Sequence, residues 1–492
     1  MSEQAATSIR QIIRASAISG IGSTVYIVAG IVKTKAIALF LGPSGVGLFG
    51  LFQSILSTAG TISGAGLNSS GVQQIAKARA DDDQKRLILI RTGLSRSSVI
   101  LGLIGMAVVI ACRDPIAQFS LGNTRFSNDL IVIGLGVWCF VISGVQTGIL
   151  NGMHRIGDLA RVSIVGSLIS IPVTIALVWF YEDHGVAAAV ALSACSTLVV
   201  SWWYLKRADL PQRMVSLAEI SAPLKNLFNL GIVLMAASLV TIGSQMLARI
   251  MITRTLNIAA TGHFQAAWSI SMLYLGFALN AMGTDYYPRL TAVVIDRSLA
   301  NKLINEQLFV ALSLTGPVIL GMLTFSSFIV RILFSGEFTE TVGILRLQLL
   351  GDVFKVSSWP LAFLLPASGY GKTFLAVELS WNLTYLLLLW FGLPIWGITS
   401  AGLAFICAYV VYFIVVLVIV RRISVFSFSS QNINLFVMYV LCACIVFVLG
   451  MIGGIVSSCL ALGVTAVAAY YSLLNLAKTA HGSSVLHLFK RS

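Results

Sequence analysis

The sequence predicts an all-α polytopic membrane protein of about fourteen transmembrane helices, arranged as two pseudo-symmetric six-helix lobes with two further C-terminal helices. Three observations lead there. Of the 492 residues, 57% are hydrophobic and only 10% charged, whereas soluble domains carry about 25% charged residues and roughly 45–50% apolar ones. With a mean hydropathy of +0.92, the apolar surplus exceeds what a water-soluble core can hide. Apolar stretches of spanning length recur from one end of the chain to the other, and the first half reappears, weakly but in order, in the second.

A spanning helix needs about 20 largely apolar residues. That window finds spans near 13–41, 45–66, 87–112, 129–150, 160–180, 185–205, 226–252, 262–284, 305–330, 344–366, 373–393, 397–420, 433–452 and 455–476. Connections are short and leave no room for a soluble domain. The stretch up to Leu41 reads as an uncleaved first helix, since it lacks a short apolar core ending in a small-residue cleavage site.

Lys and Arg outnumber Asp and Glu by 32 to 18, a net charge of +14. In a membrane protein this surplus reports topology. With fourteen spans, twenty of the cations fall on the side of the N-terminus. Only Arg113, Arg125, Arg254, Arg331 and Arg346 fall on the other. Both termini are therefore expected in the cytoplasm. The basic residues are scattered through short loops, which argues against nucleic acid as a partner. The seven cysteines form no CxxC pair and sit mostly inside apolar runs, as small buried hydrophobes do. With five isolated histidines, no metal site is expected.

The repeat organises the chain. KTKAIALFLGPSGVGLFGLFQSI in the first hairpin parallels ARIMITRTLNIAATGHFQAAWSI, matching Gly47 to Gly262 and Phe49 to Phe264 at an offset of 215. NGMHRIGD parallels ASGYGKTF, and HGVAAAVALSAC parallels WGITSAGLAFIC through Gly185 and Gly397. The expected divisions are an N-terminal six-helix lobe over 1–212, a C-terminal six-helix lobe over 213–422, and two added helices with a cytoplasmic tail over 423–492. Repeats of six spans enter the membrane with the same orientation, a parallel repeat of the kind in which one bundle rocks against the other.

Ionisable groups within spans are costly and mark function by default. Seven cations remain inside spans: Arg14, Lys33, Lys35, Arg91, Arg96, Arg249 and Lys355. Arg14 and Arg91 lie close enough to helix ends to snorkel. Subtracting the repeat offset places Arg249 between Lys33 and Lys35, so both lobes are expected to present a cation at one depth. Gln348, Asp352, Lys355 and Trp359 share one face of the tenth span. Asp352 and Lys355 are read there either as a mutual ion pair or as a polar stripe lining a cavity. Glu378 and Asn382 form a second polar pair on the eleventh span, and Asp285 lies near Arg289 at the end of the eighth. GYGKT around Lys372 lacks the earlier glycine of a phosphate loop, which falls at Pro366. No nucleophile–base arrangement has supporting context, so no catalytic residues are assigned and an enzyme is not expected.

LGPSGVGLFGLFQSI, GDVFKV at Gly351 to Val356 and YGKTFLAVELSWNLTYLLLLW resemble the polysaccharide transporters of the multidrug/oligosaccharidyl-lipid/polysaccharide exporter superfamily. Within it the chain is similar to Wzx-type O-antigen and enterobacterial common antigen flippases over roughly residues 10–422. The resemblance implies two six-helix lobes of the multidrug-and-toxin-extrusion type around a cavity that opens alternately to each side. The implied cargo is an undecaprenyl-pyrophosphate-linked oligosaccharide, such as an O-antigen repeat unit, moved to the periplasmic leaflet of the bacterial inner membrane. It implies the bilayer, an O-antigen polymerase and a chain-length regulator as partners.

The matching motifs nominate Lys35, Asp352 and Lys355 as cavity residues. Arg249 is nominated by the repeat and Arg96 by its place in a span. Together Lys35, Arg96, Arg249 and Lys355 are the expected diphosphate and glycan contacts, and Asp352 and Glu378 the expected sites of proton or sodium coupling. No other cofactor is expected. The two added helices depart from the twelve-span common-antigen flippases. The rivals are a cation-coupled multidrug exporter, expected to hold more acidic groups in its spans, and a membrane glycan polymerase, expected to carry a large outer loop.

Overall fold

The structure, a computed structural model, describes residues 3–208 and 217–482, and among them contains no strand. The expected lobe boundary at 212 and the end of the tail lie outside the described residues. In hydrocarbon every backbone N–H and C=O must be satisfied within the chain, so helices are the only solution open to a sequence this apolar without barrel alternation. In order they are α1 (Glu3–Gly64), α2 (Leu67–Ala80), α3 (Gln84–Ala111), α4 (Arg113–Leu121), α5 (Asp129–Gly152), α6 (Ile156–Arg207), α7 (Leu217–Thr255) and α8 (Ile258–Val293). Then follow α9 (Arg297–Thr324), α10 (Ser326–Leu333), α11 (Thr339–Ala362), α12 (Leu364–Ala367), α13 (Gly371–Trp396), α14 (Thr399–Ser424), α15 (Ser430–Ile452) and α16 (Ile455–Gly482).

Among the described residues, ten segments are long and apolar enough to cross a membrane. Two are too long to be single spans. Val25–Gly64 has 40 residues and Ile156–Arg207 has 52; as straight rods they would reach about 60 and 78 Å, against about 30 Å of hydrocarbon. Both are broken. In α1 the break is Gly42 (φ 61°, ψ −157°) followed by Pro43, and in α6 it is Glu182 (φ 51°, ψ −129°). A Cβ on Gly185 would collide with the carbonyl of Leu177, eight residues earlier, a distance of about 12 Å along an unbroken helix. The chain therefore doubles back at Glu182.

The repeat is visible in the backbone. Gly397 between α13 and α14 has φ 57° and ψ −142°, the conformation of Glu182. Its position is 215 residues later. His154 and Gly369 both have positive φ. The caps that follow, Arg155 before α6 (φ −84°, ψ 58°) and Tyr370 before α13 (φ −83°, ψ 49°), also match. α3 and α9 are both 28 residues long, begin after an aspartate whose side chain caps them, and end at residues with nearly identical dihedrals, Cys112 and Phe325. The structure thus corrects two of the sequence pairings. Gly369 corresponds to His154 rather than Gly152, and Gly397 to Glu182 rather than Gly185. Matching glycine to glycine misleads where one repeat places a non-glycine residue at the positive φ.

Contacts divide the chain into two compact units, Met1–Gln265 and Ala266–Ser492. In the first, α7 packs against α1, α2, α3 and α4, and a buried cluster including Leu67, Ile75, Leu94 and Ile149 fills the centre. In the second, α11 packs against α9, α14 and α15, and the final pair α15 and α16 packs on α9. Tyr439 of α15 lies on Gly316 of α9, and Thr324 and Thr465 meet at 2.9 Å. All seven cysteines are free. Cys139 is buried as expected, whereas Cys112, Cys407, Cys444 and Cys459 are exposed on helix surfaces.

The tightest crossing in the first unit joins the second half of α1 to the start of α8. A Cβ on Gly47 would overlap the carbonyl oxygen of Ile258 and lie 3.0 Å from the Gly262 nitrogen. A Cβ on Gly262 would overlap the carbonyl oxygen of Pro43 and lie 3.1 Å from the Gly47 nitrogen. Only small residues allow two spans this close. We expect Gly47→Val to lower thermal stability and membrane abundance sharply, since overpacking of this kind costs about 1–3 kcal/mol or more. Gly30→Ala, with nothing within 4 Å of its Cβ, should leave both unchanged. Fluorescence-detected thermal melts of the two variants check this.

Candidate functional site

In the second unit the polar residues of several spans converge. Asp352 of α11 is fully buried. Its Oδ2 accepts hydrogen bonds from the Ser271 hydroxyl at 2.8 Å and the Tyr274 hydroxyl at 2.7 Å, both on α8. Ser271 and Tyr274 are three apart, so one helix face delivers both donors. Lys355, one turn on from Asp352, extends its ammonium to 3.5 Å from the Met272 sulfur and over the rings of Phe405 (5.9 Å) and Tyr409 (5.4 Å) of α14. The carboxylates that act on it electrostatically are Asp352 and Glu378. Glu378 of α13 accepts a 2.6 Å hydrogen bond from the Tyr412 hydroxyl, and its carbonyl accepts from Asn382.

Asp352 and Lys355 have different hydrogen-bond and ring partners, although each acts on the other electrostatically. The aspartate is held by neutral hydroxyls and the lysine by sulfur and aromatic faces. Around them Trp381 stacks on Tyr385 with centroids 5.4 Å apart and planes 3° from parallel. Tyr409 lies 5.0 Å from Trp381 and 4.8 Å from Phe405, and Trp268 lies 6.0 Å from Phe405.

Several buried polar atoms here have no hydrogen-bond partner: both amide atoms of Gln348, Oδ1 of Asp352, Nε1 of Trp381 and Oδ1 of Asn382. A buried polar group left unsatisfied costs about 1–3 kcal/mol. Such a concentration beside a lysine and two carboxylates is the composition of a binding site for a polar or charged solute. The groups present can donate to a phosphate or sugar, stack on a sugar face, and exchange a proton or bind a small cation at a carboxylate.

The other nominated residues belong to the first unit. Arg249 is 6% exposed. Its Nε donates to Gln265 at 2.9 Å, its Nη1 donates to the Gln245 carbonyl at 2.9 Å, and its guanidinium lies 5.8 Å from the Phe264 ring centroid. Gln265 rests on Gly50, where a Cβ would lie 2.8 Å from its Oε1. Lys35 is half-buried on α1 and Arg96 exposed on α3. At the spacing fixed by the Gly47–Gly262 crossing, the counterpart of Arg249 is Thr34. It is buried, and its hydroxyl donates to the Gly30 carbonyl. The side chains of Arg14 and Asp285 lie outside the described residues. Ser271, Tyr409 and Tyr412 were not singled out in the sequence. Their signal was present as i, i+3 pairs, Ser271 with Tyr274 and Tyr409 with Tyr412.

Comparison with known proteins places this geometry. The family described as polysaccharide biosynthesis protein matches residues 13–294. Lipid III flippases of Escherichia coli (strain K12) and of Shigella flexneri are each 24% identical over 407 residues, covering 81% of this chain and 96% of their own. Among solved structures, the lipid II flippase MurJ in an inward closed conformation matches with a TM-score of 0.72 at 17% identity. That match covers 94% of this chain and 98% of its own. An inward-facing multidrug resistance MATE family transporter of the MOP superfamily matches with a TM-score of 0.67 at 18% identity, covering 82% and 94%. These two structures share the fold.

Replacement of Lys355 by Gln, and separately of Asp352 by Asn, should each lower transport about tenfold or more, the size expected when one charge-assisted contact is lost. Membrane abundance should be unchanged. Lys35→Gln and Arg249→Gln serve as parallel tests, scored by surface glycan against protein level. Normal transport in all three cation variants would remove the case for a cationic binding site.

Proposed function

The chain belongs to the polysaccharide biosynthesis protein family, and from that premise we propose that it is a flippase for an undecaprenyl-pyrophosphate-linked oligosaccharide. It moves this cargo from the cytoplasmic to the periplasmic leaflet of the bacterial inner membrane by alternating access. The observation that carries this reading is the pair of lipid III flippase relatives, which this chain matches over 96% of their length. They are transporters, and the likeness extends through both halves of the chain. The O-antigen repeat unit is the cargo we propose. The polymerase and chain-length regulator that handle its product are the proposed protein partners.

The cargo poses three physical demands. Its diphosphate must leave water, its glycan is bulky and polar, and its polyprenyl tail can stay in the bilayer. Cations replace hydration of the diphosphate through charge-assisted hydrogen bonds, the role we assign to Lys35, Arg96, Arg249 and Lys355. The aromatic group of Trp268, Trp381, Tyr385 and Tyr409 suits sugar faces. Asp352 and Glu378 flank Lys355 and are the proposed sites at which a proton or sodium ion couples to transport. The multidrug alternative draws only on a shared fold.

We assign fourteen spans: the ten apolar segments, the two extra spans created by the breaks at Gly42 and Glu182, and the more polar helices α8 and α11. They form lobes over 1–212 and 213–422, with α15 and α16 as an added pair. The twenty-to-five distribution of loop cations supports a cytoplasmic position for both termini.

The test is glycolipid analysis of a strain deleted for the gene. We expect undecaprenyl-diphosphate oligosaccharide to accumulate on the inner leaflet while surface glycan is lost, with both restored by the wild-type chain. The accumulated mass identifies the glycan. Normal surface glycan without accumulation, in cells lacking a second flippase, would overturn the assignment.

A further inference from the structure

A cavity lies within the second unit, apart from the Asp352–Lys355–Glu378 group. It sits at the end of the helices where α9 stops and α11 begins, and where α15 turns into α16. Its volume is about 600 Å³, within the range of small-molecule sites. One wall is the Arg346 guanidinium, about two turns into α11. Nε donates to Ser326 at 2.8 Å, Nη1 to the Gly450 carbonyl at 2.7 Å and Nη2 to Ser327 at 3.4 Å. All three partners are uncharged. The guanidinium lies flat against Gly450, where a Cβ would come within 3.0 Å of Cζ. The cation is thus fixed in orientation and retains donors for an anion.

The facing wall carries Ser457 and Ser458, whose hydroxyls donate back to the Gly453 and Gly454 carbonyls, and the turn Gly453–Gly454, both at positive φ (70° and 88°). That turn leads directly into the 28-residue helix α16, whose first N–H groups add to the positive potential. The remaining wall is apolar and continues onto an exposed apolar surface. Phe328 is 62% exposed and Leu462 47%, and neighbouring Ile455 and Val456 are exposed more fully still. A ligand that fits is an anion at one end and hydrocarbon at the other.

We infer that this cavity binds the phosphate of an anionic glycerophospholipid, with the phosphodiester on Arg346 and the acyl chains along Phe328 and Leu462. Bidentate guanidinium–phosphate geometry suits the fixed orientation of Arg346. The inference also gives the added pair a purpose. α15 supplies the Gly450 carbonyl that holds Arg346, and α16 supplies the hydroxyl wall. It stands independently of the cargo proposed above.

Native mass spectrometry of the purified full-length protein tests it, with phosphatidylglycerol, phosphatidylcholine and inorganic phosphate as probes. We expect phosphatidylglycerol adducts to be preferred over phosphatidylcholine and to persist in a large excess of inorganic phosphate. Arg346→Gln should reduce them roughly tenfold, the loss associated with one charge-assisted contact. Arg331→Gln, which removes an exposed arginine of α10 that does not line the cavity, should not. Ser458→Phe, which fills the cavity while keeping Arg346, should also reduce them and carries the test if Arg346→Gln fails to fold. Unchanged binding in the Arg346 and Ser458 variants would overturn the inference. Displacement by inorganic phosphate would make this a free-anion site, and equal phosphatidylcholine binding a general acyl groove; either result overturns it too.

Discussion

The crossing of Gly47 on Gly262 fixes more of this structure than any other contact. Each glycine meets the backbone of the other repeat, and the carbonyls they meet belong to Pro43 and Ile258, themselves 215 residues apart. Equivalent atoms therefore contact equivalent atoms, as they do about a local two-fold axis. With no side chain between them, the backbones set the register, and a residue with a Cβ at either position would force the helices apart. The reciprocity also identifies the offset of the repeat without reference to sequence similarity. From it follow the matched turns at Glu182 and Gly397 and the matched caps at Arg155 and Tyr370.

The fold was legible because the membrane removes choices. Length and hydropathy alone located the helices, and the loop cations suggested a direction. The glycine pair was legible for the same reason that it matters, since its spacing from Phe49 and Phe264 recurs. Other parts of the repeat were obscured because backbone conformation, rather than residue type, is what repeats. His154 and Glu182 adopt positive φ without being glycine, so sequence matching slid to the nearest glycine. The breaks at Gly42 and Glu182 fall in the gaps the apolar window leaves, between 41 and 45 and between 180 and 185, although each break lies inside one continuous helical stretch rather than in a loop.

The site was legible in part. Asp352, Lys355 and Glu378 stand out because charge inside hydrocarbon has few structural uses. Their partners do not, because Ser271, Tyr409 and Tyr412 belong to residue types common in any span. Only the fold reveals that their hydroxyls or rings meet the charged groups. Arg249 shows the opposite case. The repeat offset placed its counterpart between Lys33 and Lys35, and the glycine crossing keeps that offset, so the counterpart is Thr34, one residue from Lys35. On a helix that single step turns the side chain by about 100°. Gln265 on Arg249 has its counterpart in Gly50, so the arginine and its glutamine are features of one repeat only.

That asymmetry bears on how a symmetric scaffold performs a directional task. In the first unit a buried arginine donates to a glutamine side chain and a backbone carbonyl. In the second, one lysine lies between two carboxylates, each already accepting from hydroxyls. With all three ionised, that group carries one negative charge, which is costly where water is scarce. A proton or a monovalent cation on either carboxylate restores neutrality. The proposed coupling therefore belongs with the second unit. On the proposed reading Lys355 would answer to both ion and anionic cargo, since its pull on an anion strengthens when a neighbouring carboxylate is neutralised and weakens when that carboxylate is ionised. The two would on that reading be linked through this one ammonium group.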